Sequence, residues 1–182
     1  MKLLKWAYEK INKRPAPYYY DYSPLTVIKK PIRKWITNSV AYNCPFNNVR
    51  IFLYRLCGFD IGKRTFIGMH CYLDDLRYEL MHIGNDVIIS YGVYFACHGR
   101  NQVSQPITVK DRAYIGMRAS VISKNAGIPG GGTGEGVTIG EDAVIGSCAL
   151  VNRDVPPGAS AVGIPCRIIE KKEQHAADSE IG

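Results

Sequence analysis

The chain has 182 residues, of which 46% are hydrophobic and 21% charged, and carries a formal net charge of +7. This length suits one domain with its own core, and the composition excludes a disordered or collagen-like chain. No apolar run approaches the roughly 20 residues that a bilayer-spanning helix requires.

The N-terminal stretch MKLLKWAYEKINKR sets Glu9 among several bases and lacks the long apolar centre of a signal peptide, which predicts a cytoplasmic protein. Residues 1–14 form a candidate short helix with Leu4, Tyr8 and Ile11 on one side. The prolines of PAPYYYDYSP, residues 15–24, predict an extended segment. Residues 1–64 hold 13 Lys and Arg against three acids, a balance of +10, whereas residues 65–182 carry −3. The basicity therefore belongs to one segment and argues against a nucleic-acid partner. Its bases are interleaved with Trp6, Tyr8, Tyr18, Tyr19, Tyr20 and Trp35. This pattern suits either an anionic membrane surface or packing on the helix or a neighbouring subunit. Residues 46–57, FNNVRIFLYRLC, read as a helix ending at Gly58, with Val49, Phe52, Leu53 and Leu56 at helical spacing.

From residue 61 the pattern changes to a repeat of six. Aliphatic residues recur at Ile61, Ile67 and Leu73; at Ile83, Ile89 and Phe95; at Val109, Ile115 and Val121; and at Ile139, Ile145 and Val151. Many are followed by Gly, and most have a small or β-branched residue four places on. A helix cannot hold a six-residue register on one face, and an isolated strand alternates every two residues. A period of six fits a short strand plus a corner, wound into stacked coils with parallel pairing. Glycine is expected to supply backbone freedom near the corners. The chain thus divides into residues 1–60, with a helix capping the first coil; a parallel β-helix over 61–169; and a C-terminal tail, 170–182.

Three breaks in spacing predict loops projecting from the prism. Leu73 to Ile83 exceeds one hexad by four residues and Phe95 to Val109 by eight. Between Val121 and Ile139 the frame is kept, but NAGIPGGGTGEG is poor material for a packed coil; an irregular coil is the other reading. Loops on a rigid solenoid are where chemistry tends to be placed. The six cysteines show no metal-binding or redox spacing, so free thiols and no metal site are expected.

The hexads, with the closing run Val151-Asn152-Arg153-Asp154-Val155-Pro156-Pro157 and then Gly163-Ile164-Pro165-Cys166-Arg167-Ile168-Ile169, resemble the hexapeptide-repeat acyltransferases. The resemblance covers about residues 45–170. It points to the branch of maltose, galactoside, nodulation and polysaccharide O-acetyltransferases. It implies an all-β, left-handed parallel β-helix, a homotrimer, acetyl-CoA as donor and active sites shared between subunits.

Acetyl transfer to a hydroxyl needs the hydroxyl proton removed as its oxygen attacks the thioester, and histidine is the usual base. His98, in ACHGRN, lies at the coil-to-loop junction where the family carries its catalytic histidine. The resemblance assigns Asp74 and Asp75 to the acceptor hydroxyls, and carboxylates are natural acceptors for such donors. Carried over by position, the coenzyme contacts fall on Met117, Ser147, Asn152 and Arg167. Glu170 replaces the family's next base, for which Lys171 or Lys172 would substitute. Tyr72, Tyr91 and Tyr94 offer aromatic faces or pack. His70, His82, His175 and Cys97 are weaker candidates for chemistry. The expected activity is O-acetylation of a sugar hydroxyl in a cell-envelope glycan. N-acetylation of an amine and a non-catalytic scaffold are the alternatives.

Overall fold

The computed structural model describes residues 2–17, 24–98, 104–123 and 136–170. After the helices α1 (Lys2–Asn12), α2 (Pro24–Trp35) and α3 (Asn47–Leu56), the described chain is a succession of two- and three-residue strands. One face of the prism, face A, is built from β1 (Asp60–Ile61), β3 (Met81–Ile83), β6 (Ile107–Val109) and β9 (Val137–Ile139). Face B holds β2 (Phe66–Ile67), β4 (Ile88–Ile89), β7 (Tyr114–Ile115), β10 (Val144–Ile145), β12 (Ser160–Val162) and β13 (Arg167–Ile169). Face C holds β5 (Tyr94–Ala96), β8 (Ser120–Ile122) and β11 (Leu150–Val151). The chain visits A, B and C in turn, and among the described residues every pairing between these strands except the closing β12–β13 hairpin is parallel; an isolated antiparallel bridge joins His98 to Ser104. This is the parallel β-helix that the six-residue period predicts.

The register shows where the period is broken. On face A, Ile61 pairs with Ile83, Ile83 with Val109, Val109 with Ile139, and Ile139 with Val155, so successive coils take 22, 26, 30 and 16 residues. Val109 passes directly to Ile139, and Val121 directly to Val151, with no coil between them. Residues 124–135, where the sequence predicts a projecting loop or an irregular coil, lie outside the described residues.

The hexad's first and fifth positions fill the interior. Ile67, Ile89, Ile115 and Ile145 stack on face B with no exposed surface, and Ala113, Ala119, Ala143 and Ala149 are equally buried beside them. The corners differ from expectation. The left-handed backbone is taken by Arg64, His70, Asp86, Arg112, Arg118, Asp142 and Cys148, with φ between 54° and 61°, as well as by Gly92 and Gly158, where glycine does supply the corner. The glycines after the aliphatic residues serve another purpose: a Cβ on Gly116 would lie 2.6 Å from the Ser147 nitrogen of the next coil. Their role is close approach of stacked backbones rather than turn geometry.

The flank also corrects the sequence reading. α3 packs on the first coil, but of the four apolar residues at helical spacing only Leu53 is turned toward the core: Arg50, Ile51 and Tyr54 are buried, whereas Val49, Phe52 and Leu56 are exposed. The reason is the open strand edge, whose backbone groups need polar partners more than apolar cover. Arg50 Nε donates to the Ile67 carbonyl at 2.7 Å, and the Asn47 Oδ1 accepts from the Ile67 N–H at 3.0 Å. α2 and the π-helical turn Ile36–Ala41 that follows it have no counterpart in the sequence reading. Part of the segment expected to be extended, residues 18–23, lies outside the described residues.

Candidate active site

The site is built at the corner where face C turns back to face A. Continuing the pairing of Tyr72 with Tyr94 brings Asp74 alongside Ala96, two residues before His98. Asp74 has no exposed surface and the His98 ring is 30% exposed. The His98 Nδ1 lies 2.6 Å from Asp74 Oδ2, which also accepts the Cys97 N–H at 2.8 Å, while Asp74 Oδ1 accepts the Leu76 N–H at 3.0 Å. An ionised carboxylate only accepts, so Nδ1 carries the proton and Nε2 presents a lone pair. The arrangement can remove a proton at Nε2 while the charge that builds on the ring is held by a buried anion.

Both carboxylates that the resemblance assigns to the acceptor hydroxyls are buried. Asp75 is 5% exposed, and its Oδ1 accepts from the Tyr72 hydroxyl at 3.0 Å and the Asn38 amide at 3.1 Å. Burial and then the Asp75 charge push the Tyr72 phenol above its usual range, so it stays a donor. The Tyr72 ring stacks on Tyr94, centroids 4.6 Å apart and 13° from parallel, forming a flat aromatic platform on face C. Cys97 is buried, and burial together with the Asp74 charge pushes its thiol up to about 12. A thiol held protonated there is no nucleophile at neutral pH.

The residues assigned to the coenzyme divide between the two edges of face C. Met117 and Ser147 occupy equivalent corners of adjacent coils on the edge between faces B and C, joined by the Cys148 N–H to the Met117 carbonyl at 2.8 Å. Arg167, exposed on β13, pairs with Val162 near the same edge. Asn152 lies on the other edge with His98, in the column of Ala96 and Ile122, two rungs or about 10 Å above Ala96. Its Oδ1 is buried with no hydrogen-bond partner. One chain thus does not bring all these groups together. Lys171, Lys172 and His175 lie outside the described residues. His82 pairs with Asp60 at 2.9 Å on face A, and His70 packs on Tyr42; neither joins the corner. An open cavity of about 700 Å³ beside Lys110, Glu141 and Pro157 shares no residue with it either. Sequence reasoning missed Asp74 as the partner of His98, although their separation is the 22-residue first coil plus two.

No family model matches the chain. The fold, however, is that of the hexapeptide-repeat acetyltransferases. A galactoside acetyltransferase solved with coenzyme A superposes with a TM-score of 0.58 at 21% identity, over 83% of this chain and 84% of that one. A hexapeptide-repeat acetyltransferase of Vibrio cholerae solved with acetyl-coenzyme A gives 0.53 at 22% identity, over 79% and 85%. A maltose O-acetyltransferase of Clostridium difficile gives 0.54 at 22% identity, over 82% and 89%.

In sequence, the chain is 34% identical over 128 residues to the Schizosaccharomyces pombe protein named "Putative acetyltransferase C18B11.09c", covering 64% of this chain and 55% of that protein. It is 28% identical over 149 residues to "Putative acetyltransferase YvoF" of Bacillus subtilis, covering 80% of each. The chain thus spans little more than half the length of the first relative and four-fifths of the second. The fold is thus shared with solved hexapeptide-repeat acetyltransferases, and the relatives in sequence carry the name putative acetyltransferase.

Proposed function

We propose that the chain is an O-acetyltransferase that moves acetyl from acetyl-CoA to a sugar hydroxyl of a cell-envelope polysaccharide or oligosaccharide, with His98 as general base. The observation that carries this reading is the buried Asp74 carboxylate holding Nδ1 of a partly exposed histidine at 2.6 Å. His98 Nε2 accepts the hydroxyl proton as the sugar oxygen attacks. Asp74 fixes the tautomer and stabilises the imidazolium, and the proton then passes to the departing thiolate. Acetyl-CoA, when bound, supplies an acyl carbon already activated as a thioester.

The residues present fit such a coenzyme. The partnerless Asn152 Oδ1 suits an amide N–H of the pantetheine arm, the stacked Met117 and Ser147 corners offer backbone groups, and Arg167 suits phosphate oxygens. Because these groups divide between two edges, we assign the complete site to neighbouring subunits of a left-handed, homotrimeric assembly. The outward row of face B, with Ile88, Tyr114 and Val144 all more than 40% exposed, supplies an apolar contact surface for it.

Among the described residues no helix is long and apolar enough to cross a membrane. Peripheral attachment to an anionic bilayer is the reading we give the N-terminal helices. On α2, Leu25, Ile28, Ile32 and Trp35 recur at spacings of three, four and three and are 52–63% exposed, while Lys29 lies beside them and no acid occurs in the helix. A bilayer meets such a stripe with lipid tails and anionic headgroups together.

Thiol release from acetyl-CoA with paired sugar and amino-sugar acceptors tests the reaction. Hydroxyl acceptors are expected to turn over and His98→Ala to slow transfer about 10³-fold. Preference for amines would redirect the proposal to N-acetylation, and undiminished transfer by the variant would remove His98 from the mechanism.

A further inference from the structure

Beside the dyad lies a second cavity of about 270 Å³, walled on one side by Lys30, Pro31, Arg33 and Lys34 of α2 and on the other by Asp75 and Leu76. It is smaller than most sites for drug-sized ligands, and its size suits a compact group. Among the described residues three bases and one carboxylate line it, and that carboxylate is already satisfied by the neutral donors Tyr72 and Asn38. Arg33 is held in place: its guanidinium lies 3.8 Å over the Tyr78 ring, and Nη2 reaches the Asp75 carbonyl at 3.4 Å. Its Nε is buried yet has no hydrogen-bond partner. Leaving such a donor unmet costs free energy that a ligand acceptor would recover. Neither Arg33 nor Lys34 forms an ion pair with a carboxylate among the described residues.

We infer that this cavity is an oxyanion subsite for the acceptor, which holds a phosphate or carboxylate of the glycan while a hydroxyl of the same unit reaches His98. The inference rests on the proposed acetyl transfer. Consecutive residues tie the two places together: Asp74 anchors the histidine, and Asp75 forms the wall of the cavity. A planar guanidinium beside an ammonium group matches the oxygens of a phosphate better than those of a neutral sugar. The position on α2, whose other side carries the exposed apolar stripe, favours an acceptor presented at a membrane surface, such as a sugar on a lipid diphosphate.

Inorganic pyrophosphate is the probe, titrated into the full chain and followed by ³¹P line broadening. Wild type is expected to bind it, and combined Arg33→Gln and Lys34→Gln substitution to weaken binding about tenfold or more, the scale of lost hydrogen bonds to charged groups. Lys34→Gln alone alters only an exposed side chain and so separates the effect from misfolding. Acetyl-CoA affinity is expected to stay unchanged in these variants, and His98→Ala to retain pyrophosphate binding.

In transfer assays, the variants are expected to raise KM for a sugar 1-phosphate while leaving a neutral sugar unaffected. Glucuronate and a polyprenyl-diphosphate sugar, as parallel acceptors, identify which oxyanion is used. Equal pyrophosphate binding by wild type and variants, no binding by wild type, or loss of acetyl-CoA instead would overturn the subsite. Absence of transfer to every acceptor, with pyrophosphate binding intact and lost in the variants, would refute the enzymatic reading and leave the subsite standing.

Discussion

The prism and the N-terminal helices handle their apolar residues in opposite ways. In the β-helix the aliphatic columns are sealed: Ile89, Ile115, Ile139 and Ile145 expose no surface at all. In the helices, Trp6, Ile11, Ile28, Ile32 and Trp35 are more than half exposed. A repeat that stacks identical positions buries its own faces, since each rung covers the next. A helix laid against the end of that stack, as α3 is, can cover only one side. The contrast says that the prism is held by its own core, whereas the helical segment leaves much of its apolar surface open.

Breaking the site at the prism's corner is expected to have the largest effect. His98→Ala should lower kcat by about 10³-fold, within the usual range for losing a general base. Asp74→Asn should lower it by a comparable factor, because the amide offers Nδ1 an N–H where it needs an acceptor. Both are read from initial rates with saturating acetyl-CoA. Removing a sealed side chain comes next: Ile145→Ala should cost about 3 kcal/mol by urea unfolding, from lost burial and the cavity left behind. Ile32→Ala on α2, already exposed, should cost less than about 0.5 kcal/mol.

The helices should respond in a different assay. Ile28→Ser with Ile32→Ser is expected to weaken partition onto anionic vesicles about tenfold, judged from the apolar area removed, with the unfolding midpoint unchanged. Failure of wild type to float with such vesicles at low salt would assign this stripe to a neighbouring subunit. Alkylation sharpens the contrast further: exposed Cys148 should label at pH 8, while Cys97, buried and raised to about 12, should remain unlabelled until the chain unfolds.

The smallest effect lies on the edge between faces A and B, where Arg64 and Asp86 pair at 2.5 Å and the Arg64 hydrogen bond holds the Asp86 carboxyl below its usual range. A carboxyl depressed in the folded state contributes stability above its unfolded pKa of about 4 and loses it as pH falls through the folded value. Arg64→Ala should therefore lower the thermal midpoint slightly at pH 6 and not at all in strong acid.

The amino-acid sequence by itself determined the β-helix, the extent of its repeat and the placing of His98 at a break in that repeat. These depend on a period of six, which is local and is written in the order of aliphatic, glycine and small residues. Only the tertiary structure decided that Asp74 holds His98, that α3 turns Arg50 rather than Phe52 toward the first coil, and that α2 walls a basic cavity at Asp75. Each of those contacts joins residues 17 to 42 positions apart. They cross coils of unequal length or link a helix to the prism, so no fixed spacing announces them. Their selection came from unpaired backbone groups and buried charges finding partners, which is settled only when the coils stack.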